Sequence, residues 1–304
     1  MATLKGQNVR ILILNTTSNK YRCVGMSTNA TITLNTNTED ASTKDDTGMS
    51  AKPTVNSKSW QVQVDTLDVS DVGAMLTAIK SLTPFTLMWD EVATSDNQTP
   101  QGAAFARTGT AFLTDFTATF NDRENSAKNL QFSGSGPLST MSAVPSYEAI
   151  SAGSYTKGQF VRMFLGSDNS TTPSTTIAGC KQLSVHVSLS IENSSTKDTT
   201  GDWLIQEPTA LNFDISTSAL VRSGDTITSA VGGKSFADLE TIYENSTPVR
   251  FQIANVSGDN NRTKGAVIMS GSVILASLTN NNPNRQNSDY SANFNGYGDY
   301  TVGS

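Results

Sequence analysis

One histidine, His186, and two cysteines, Cys23 and Cys180, are the side chains of this sequence best fitted to proton transfer, nucleophilic attack or metal ligation. They are too few and too scattered for a zinc cluster or a disulfide framework. His186 sits in Ser184-Val-His-Val-Ser-Leu-Ser-Ile191, among serines on the polar side of an alternating segment. A general base needs a group to orient it and a proton to take, and neither adjoins His186 in the sequence. A hydrolase would need a deep pocket that brings His186 to a carboxylate. The cysteines read as small free thiols in a reducing compartment.

Other clusters carry little chemistry. Glu39, Asp40, Asp45 and Asp46 lie close together, but they lack the alternating carboxylates and terminal glutamate of a calcium-binding loop. Gly134-Ser-Gly136 and Gly296-Tyr-Gly298 follow strand-like segments with no helix behind them, so they read as turns rather than phosphate cradles. The sequence therefore assigns no catalytic residue, no cofactor and no metal, and the expectation is a protein that is not an enzyme.

The elements that would position these residues are written twice. KGQNVR (5–10) recurs as KGQFVR (157–162), and EDASTKDDTG (39–48) recurs as ENSSTKDTTG (192–201). Trp60 of the first half answers Phe213 of the second, and Thr83-Pro84 answers Thr247-Pro248. Gly109, Leu113, Arg123, Phe132 and Gly134 match Gly271, Leu275, Arg285, Phe294 and Gly296 at a constant offset of 162. The landmarks keep their order, as a duplicated unit requires. The expected division is a first domain over 1–140, a linker over 141–156 and a second domain over 157–304. The extra length of the second copy falls in the Gly-rich stretch 223–234. Each half carries a net charge of −3.

Alternation with period two places side chains on opposite faces of a strand. Val185, Val187, Leu189 and Ile191 share one face, and Trp60, Val62 and Val64 share another. Phe112, Phe116 and Phe120 are spaced to share a third. Each half has one helical pattern: Val69, Val72, Met75, Leu76, Ile79 and Leu82, then Phe236, Leu239, Ile242 and Tyr243. Ser235 and Asp238 have the spacing of a capping box. The predicted fold is mainly β: two tandem antiparallel β-sandwich or barrel domains, each with one packed α-helix.

Composition narrows the function classes. With 27 acidic and 21 basic residues the chain carries −6, which disfavours phosphate-binding surfaces and anionic membranes. No apolar run approaches the ~18 residues of a membrane span. Ile11–Leu14 is too short for a signal-peptide core, so folding in a cytoplasm is expected. The segments 39–59 and 192–211 read as long polar loops, a length associated with function. Glu39, Thr43, Lys44, Asp45 and Gly48, with Glu192, Thr196, Lys197, Asp198 and Gly201, are the candidate contacts between subunits or rings.

A KGQxVR strand, the E-x-x-S-T-K-D-x-T-G motif, an aromatic strand, a helix and a TP-led strand occur in this order in both halves. That pattern resembles the major tail tube proteins of long-tailed bacteriophages, once per half. The resemblance implies a homo-oligomeric ring, stacked with its copies into a tube through which DNA passes without specific binding. It also implies partners among other tail proteins (terminator, tape measure, baseplate or tip), no membrane, and a place in the virion tail after assembly in the host cytoplasm. Members with one tube domain form six-membered rings. Two domains per chain imply three chains with pseudo-sixfold symmetry, about −18 in total, a field that repels DNA at short range. The alternative is an inner-tube subunit of a contractile injection system, which uses the same fold. A tandem surface or fimbrial protein fits less well, because a secretion signal is missing.

Overall fold

The computed structural model describes residues 5–47, 50–67, 71–141, 143–149, 156–199, 201–221, 233–257 and 263–303. The fold is mainly β. The first half contains β1 (Val9–Asn15), β2 (Lys20–Cys23), β3 (Ser27–Asp40), β4 (Pro53–Thr66), α1 (Val72–Lys80), β5 (Phe85–Glu91), β6 (Arg107–Asn121) and β7 (Ala127–Thr140). A short strand, β8 (Tyr147–Glu148), precedes the second half. There follow β9 (Val161–Leu165), β10 (Thr175–Ile177), β11 (Cys180–Asn193), β12 (Gln206–Leu220) and β13 (Gly233–Lys234). The chain ends with α2 (Phe236–Asn245), β14 (Val249–Ser257), β15 (Thr263–Asn281), β16 (Asp289–Gly296) and β17 (Thr301–Val302).

The antiparallel order in the first half is β3-β4-β7-β6-β5-β1-β2. In the second half it is β11-β12-β16-β15-β14-β9-β10. The irregularities coincide as well. β3 and β11 shift register against their neighbours at Asn37/Thr38 and Ser190/Ile191, and β6 and β15 shift at Leu113/Asp115 and Leu275/Ser277. A 3-10 turn, Gly6–Asn8 or Gly158–Phe160, leads into β1 and β9.

Aromatic and branched residues on the inward faces build one continuous core. Trp60, Phe116 and Phe132 anchor it in the first half, and Phe213, Phe251 and Phe294 in the second. Each fully buried side chain of this size contributes roughly 1.5–3 kcal/mol against exposure. The Trp60 indole lies over Gly134 and donates to the Gly136 carbonyl (3.1 Å), and Phe213 lies over Gly296 in the same way. Ser235 caps α2 with the expected reciprocal bonds to Asp238.

Several expectations are revised. The segments 39–59 and 192–211 are strand only at their two ends: Glu39 faces Thr54 and Glu192 faces Glu207, and the ladders stop at the Asp40–Pro53 and Asn193–Gln206 pairs. Polar residues on both faces of these strand ends hide the alternation. The bulge after Leu113 inverts the phase of β6, so Leu113 joins Phe116 on the core face while Phe112 turns the other way. Val69 and most of 223–234 fall outside the described residues. Leu82 lies past α1 with φ +55°, where the helix has ended. Within 141–156, Tyr147–Glu148 pairs in parallel with β2.

Candidate assembly interface

The two halves meet along one strand edge. β6 changes partner midway: Phe85–Trp89 of β5 pairs with its first part, and β11 pairs with Asp115–Asn121. The register sets Val187 against Phe116, Val185 against Ala118 and Leu183 against Phe120, all buried. Eight strands thereby form one wall in the order β3-β4-β7-β6-β11-β12-β16-β15.

One face of this wall packs on the core and the other is polar. A single row crosses it from Asn29 through Asp65, Asn129, Thr117 and His186 to Asp214. Asp115 and Asp289 stand on the same face. Along that row the face presents carboxylates, amides, a hydroxyl and the His186 imidazole, and Phe112, Leu220 and Ile274 share the face further along the strands.

His186 closes the seam. Its Nε2 meets Asp115 of the first half at 2.7 Å, and its Nδ1 meets Asp214 of the second at 2.6 Å. Burial pulls the imidazole towards neutrality, but hydrogen bonds to Asp115 and Asp214 outweigh it, and its pKa lies above the ordinary value. With both nitrogens held by carboxylates, the ring has no lone pair free to accept a substrate proton. The geometry is that of a clamp. The carboxylates were invisible from the sequence because they lie 71 and 28 residues away.

A second tie comes from the hairpin between β11 and β12. Its descending arm enters a fork in the first half, between Lys58 and the Ser133–Gly136 stretch. The Leu204 amide donates to the Lys58 carbonyl (3.0 Å), and the Gly136 amide donates to the Leu204 carbonyl (2.8 Å). Lys58 pairs with Asp202 at 3.0 Å, and the Ser133 hydroxyl donates to the Gln206 side chain at 2.9 Å. A third tie runs from α1 to the C-terminal segment, where Lys80 pairs with Asp299 at 2.9 Å and the Tyr300 hydroxyl donates to the Leu76 carbonyl.

The residues singled out in sequence make none of these contacts. Thr43 and Thr196 each start a local turn, closed by Asp46 and Thr199. Lys44, Asp45, Lys197 and Asp198 are exposed on the turns, Glu39 and Glu192 are exposed in strands, Gly201 takes φ +89°, and Gly48 lies outside the described residues. The seam instead uses Lys58, Asp115, Ser133, His186, Asp202, Leu204 and Gln206. A polar residue in a strand gives no hint of its neighbour across a seam. Cys23 and Cys180 are free thiols, each pushed up to about 11 by burial.

No protein-family model and no curated protein matches the sequence. Among solved structures the chain is similar to the tail of an empty GTA particle refined with C6 helical symmetry: 14% identity, 49% of this chain, 99% of that chain, TM-score 0.37. It is also similar to the virion of a native gene transfer agent particle, at 15% identity over 49% of this chain and 99% of that one, TM-score 0.36. The SPP1 tail tube is similar at 15% identity over 48% of this chain and 78% of that one, TM-score 0.35.

Proposed function

We propose that this chain is a structural subunit of the tail-tube kind, in which two copies of one tube domain, 1–140 and 157–304, stand side by side in a ring wall. The observation that carries this reading is the β6–β11 seam. It joins two halves of like strand order into one wall and leaves the same two kinds of edge, β3 and the end of β15, at the wall's extremities. Heterologous contacts of one type close into rings when the rotation allows. Six domains need three chains, and closure also removes the exposed strand edges that otherwise template aggregation.

The polar face suits a conduit. Asp65, Asp115, Asp214 and Asp289 repel phosphate, and amides and hydroxyls offer DNA no fixed cation. The chain's −6 acts in the same direction. Stacked rings make the tube, and other tail proteins close its ends.

Light scattering and negative-stain imaging of the purified chain test the reading. Three-chain rings with six lobes, stacking into tubes, are the expected result. Monomers alone at high concentration overturn it.

A further inference from the structure

The internal seam has a vacant counterpart in the same chain. Gly158, Gln159, Val161, Arg162 and Cys180 bound a space of only about 20 Å³, because Phe120 and Asp122 of the first half lie in it. Their repeat equivalents Gly6, Gln7, Val9, Arg10 and Ser27 bound an open trough of about 600 Å³. A Cβ on Gly158 would overlap the Asn121 backbone, whereas a Cβ on Gly6 would meet nothing within 4 Å. The strand beside each space differs in the same sense. Leu183, Val185 and Val187 of β11 are buried, but Ala30 and Leu34 of β3 are exposed and Ile32 is half-buried, Leu34 at 61%.

The opposite end of the wall shows the complement. The fork that holds Leu204 in the first half is, in the second, an open groove of about 700 Å³ lined by Leu211, Phe213, Gly296, Gly298 and Tyr300. Beside it, β15 beyond Val273 has no partner among the described residues on the edge that β6 gives to β11.

We propose, resting on the ring reading above, that a second copy of this chain docks β15 against β3 with the internal register, Thr279 opposite Thr33 and Leu278 opposite Leu34. Pro283 of that copy then lies against Gly6, as Asn121 lies against Gly158. The arm Ser50–Pro53 of the first chain enters the second copy's groove beside Gly298, as Leu204 enters beside Gly136. The occupant is a second copy because this chain already fills the equivalent space beside Gly158 with its own β6, and β15 is the repeat counterpart of β6. The chemistry at this joint differs from the internal one. Asp115, His186 and Asp214 are replaced by Ser277, Thr33 and Gln61, so the joint between chains has no counterpart of the histidine clamp. Ile32 and Ala30 face Asn280 and Asn282, so its apolar contact centres on Leu34 and Leu278.

Two measurements test this. Gly6→Val is expected to keep the monomer's unfolding midpoint and to abolish rings, because its side chain occupies the space Pro283 needs. Thr33→Cys with Thr279→Cys is expected to give disulfide-linked oligomers on oxidation, since opposed antiparallel positions lie within bonding range. Thr33→Cys with Asn281→Cys is expected to give none. Rings of Gly6→Val, or cross-linking of the second pair in place of the first, overturn the register while leaving the ring reading intact. An unmodified chain that stays monomeric at every concentration overturns the ring reading and this joint with it.

Discussion

At the scale of the residue, His186 is the informative position. Its neighbours in sequence are serines and valines, which say only that it sits on the polar side of a strand. Its function follows from the two carboxylates that the seam brings to its ring. The folded chain holds the imidazolium proton more tightly than the unfolded chain does. The clamp's contribution is therefore complete below the ordinary histidine value of about 6.5 and is lost as pH rises through the higher folded-state value. The urea midpoint of the unaltered chain should exceed that of His186→Gln at about pH 6, and the gap should shrink towards about pH 9. A gap that is constant with pH would show that the imidazolium charge does not hold the seam. The side chain is one-third exposed, so solvent screening keeps the effect modest.

At the scale of the element, repeated strands behave differently according to what covers them. β3 and β11 have matching registers and bulges, yet one is exposed along its apolar side and the other is buried. Gly158→Val should destabilise the chain by at least about 1–3 kcal/mol, because the added side chain must displace the Asn121 backbone. Chemical denaturation of that variant checks it, and an unchanged midpoint would mean that the Gly158 turn can move away from β6. Ser235→Ala removes the α2 cap and should cost about 1 kcal/mol in the same assay. Helices, caps and strand alternation were legible in the sequence, since each depends on residues within a few positions. The hairpin ends of β3, β4, β11 and β12 read as loops because polar residues, from Thr36–Asp40 to Gln206 and Glu207, occupy both strand faces there. The phase of β6 is not legible in the sequence because a bulge leaves no mark in residue types.

At the scale of the molecule, one interface type accounts for the internal seam and the two vacant edges. Leu34→Asp should leave the monomer within about 0.5 kcal/mol of the unaltered chain, as exposed substitutions do, while sedimentation shows rings lost or strongly weakened. Retention of rings would place the chain–chain contact elsewhere. The exposed turns around Lys44 and Asp45 stand beyond the wall. Replacing both by alanine should spare ring formation and shorten the tubes seen by electron microscopy, and tubes of normal length would remove these residues from the contact between rings.

Sequence by itself determined the class of fold, the repeated order of landmarks, the helices and the acidic balance, because these reside in local periodicity and composition. Tertiary structure alone decided that β6 hands its edge to β11, that His186 sits between Asp115 and Asp214, and that Leu204 fills a fork whose twin is open. Those facts join residues tens of positions apart. Their pairing depends on which strand edges and faces the tertiary fold brings together, a property no stretch of sequence carries on its own.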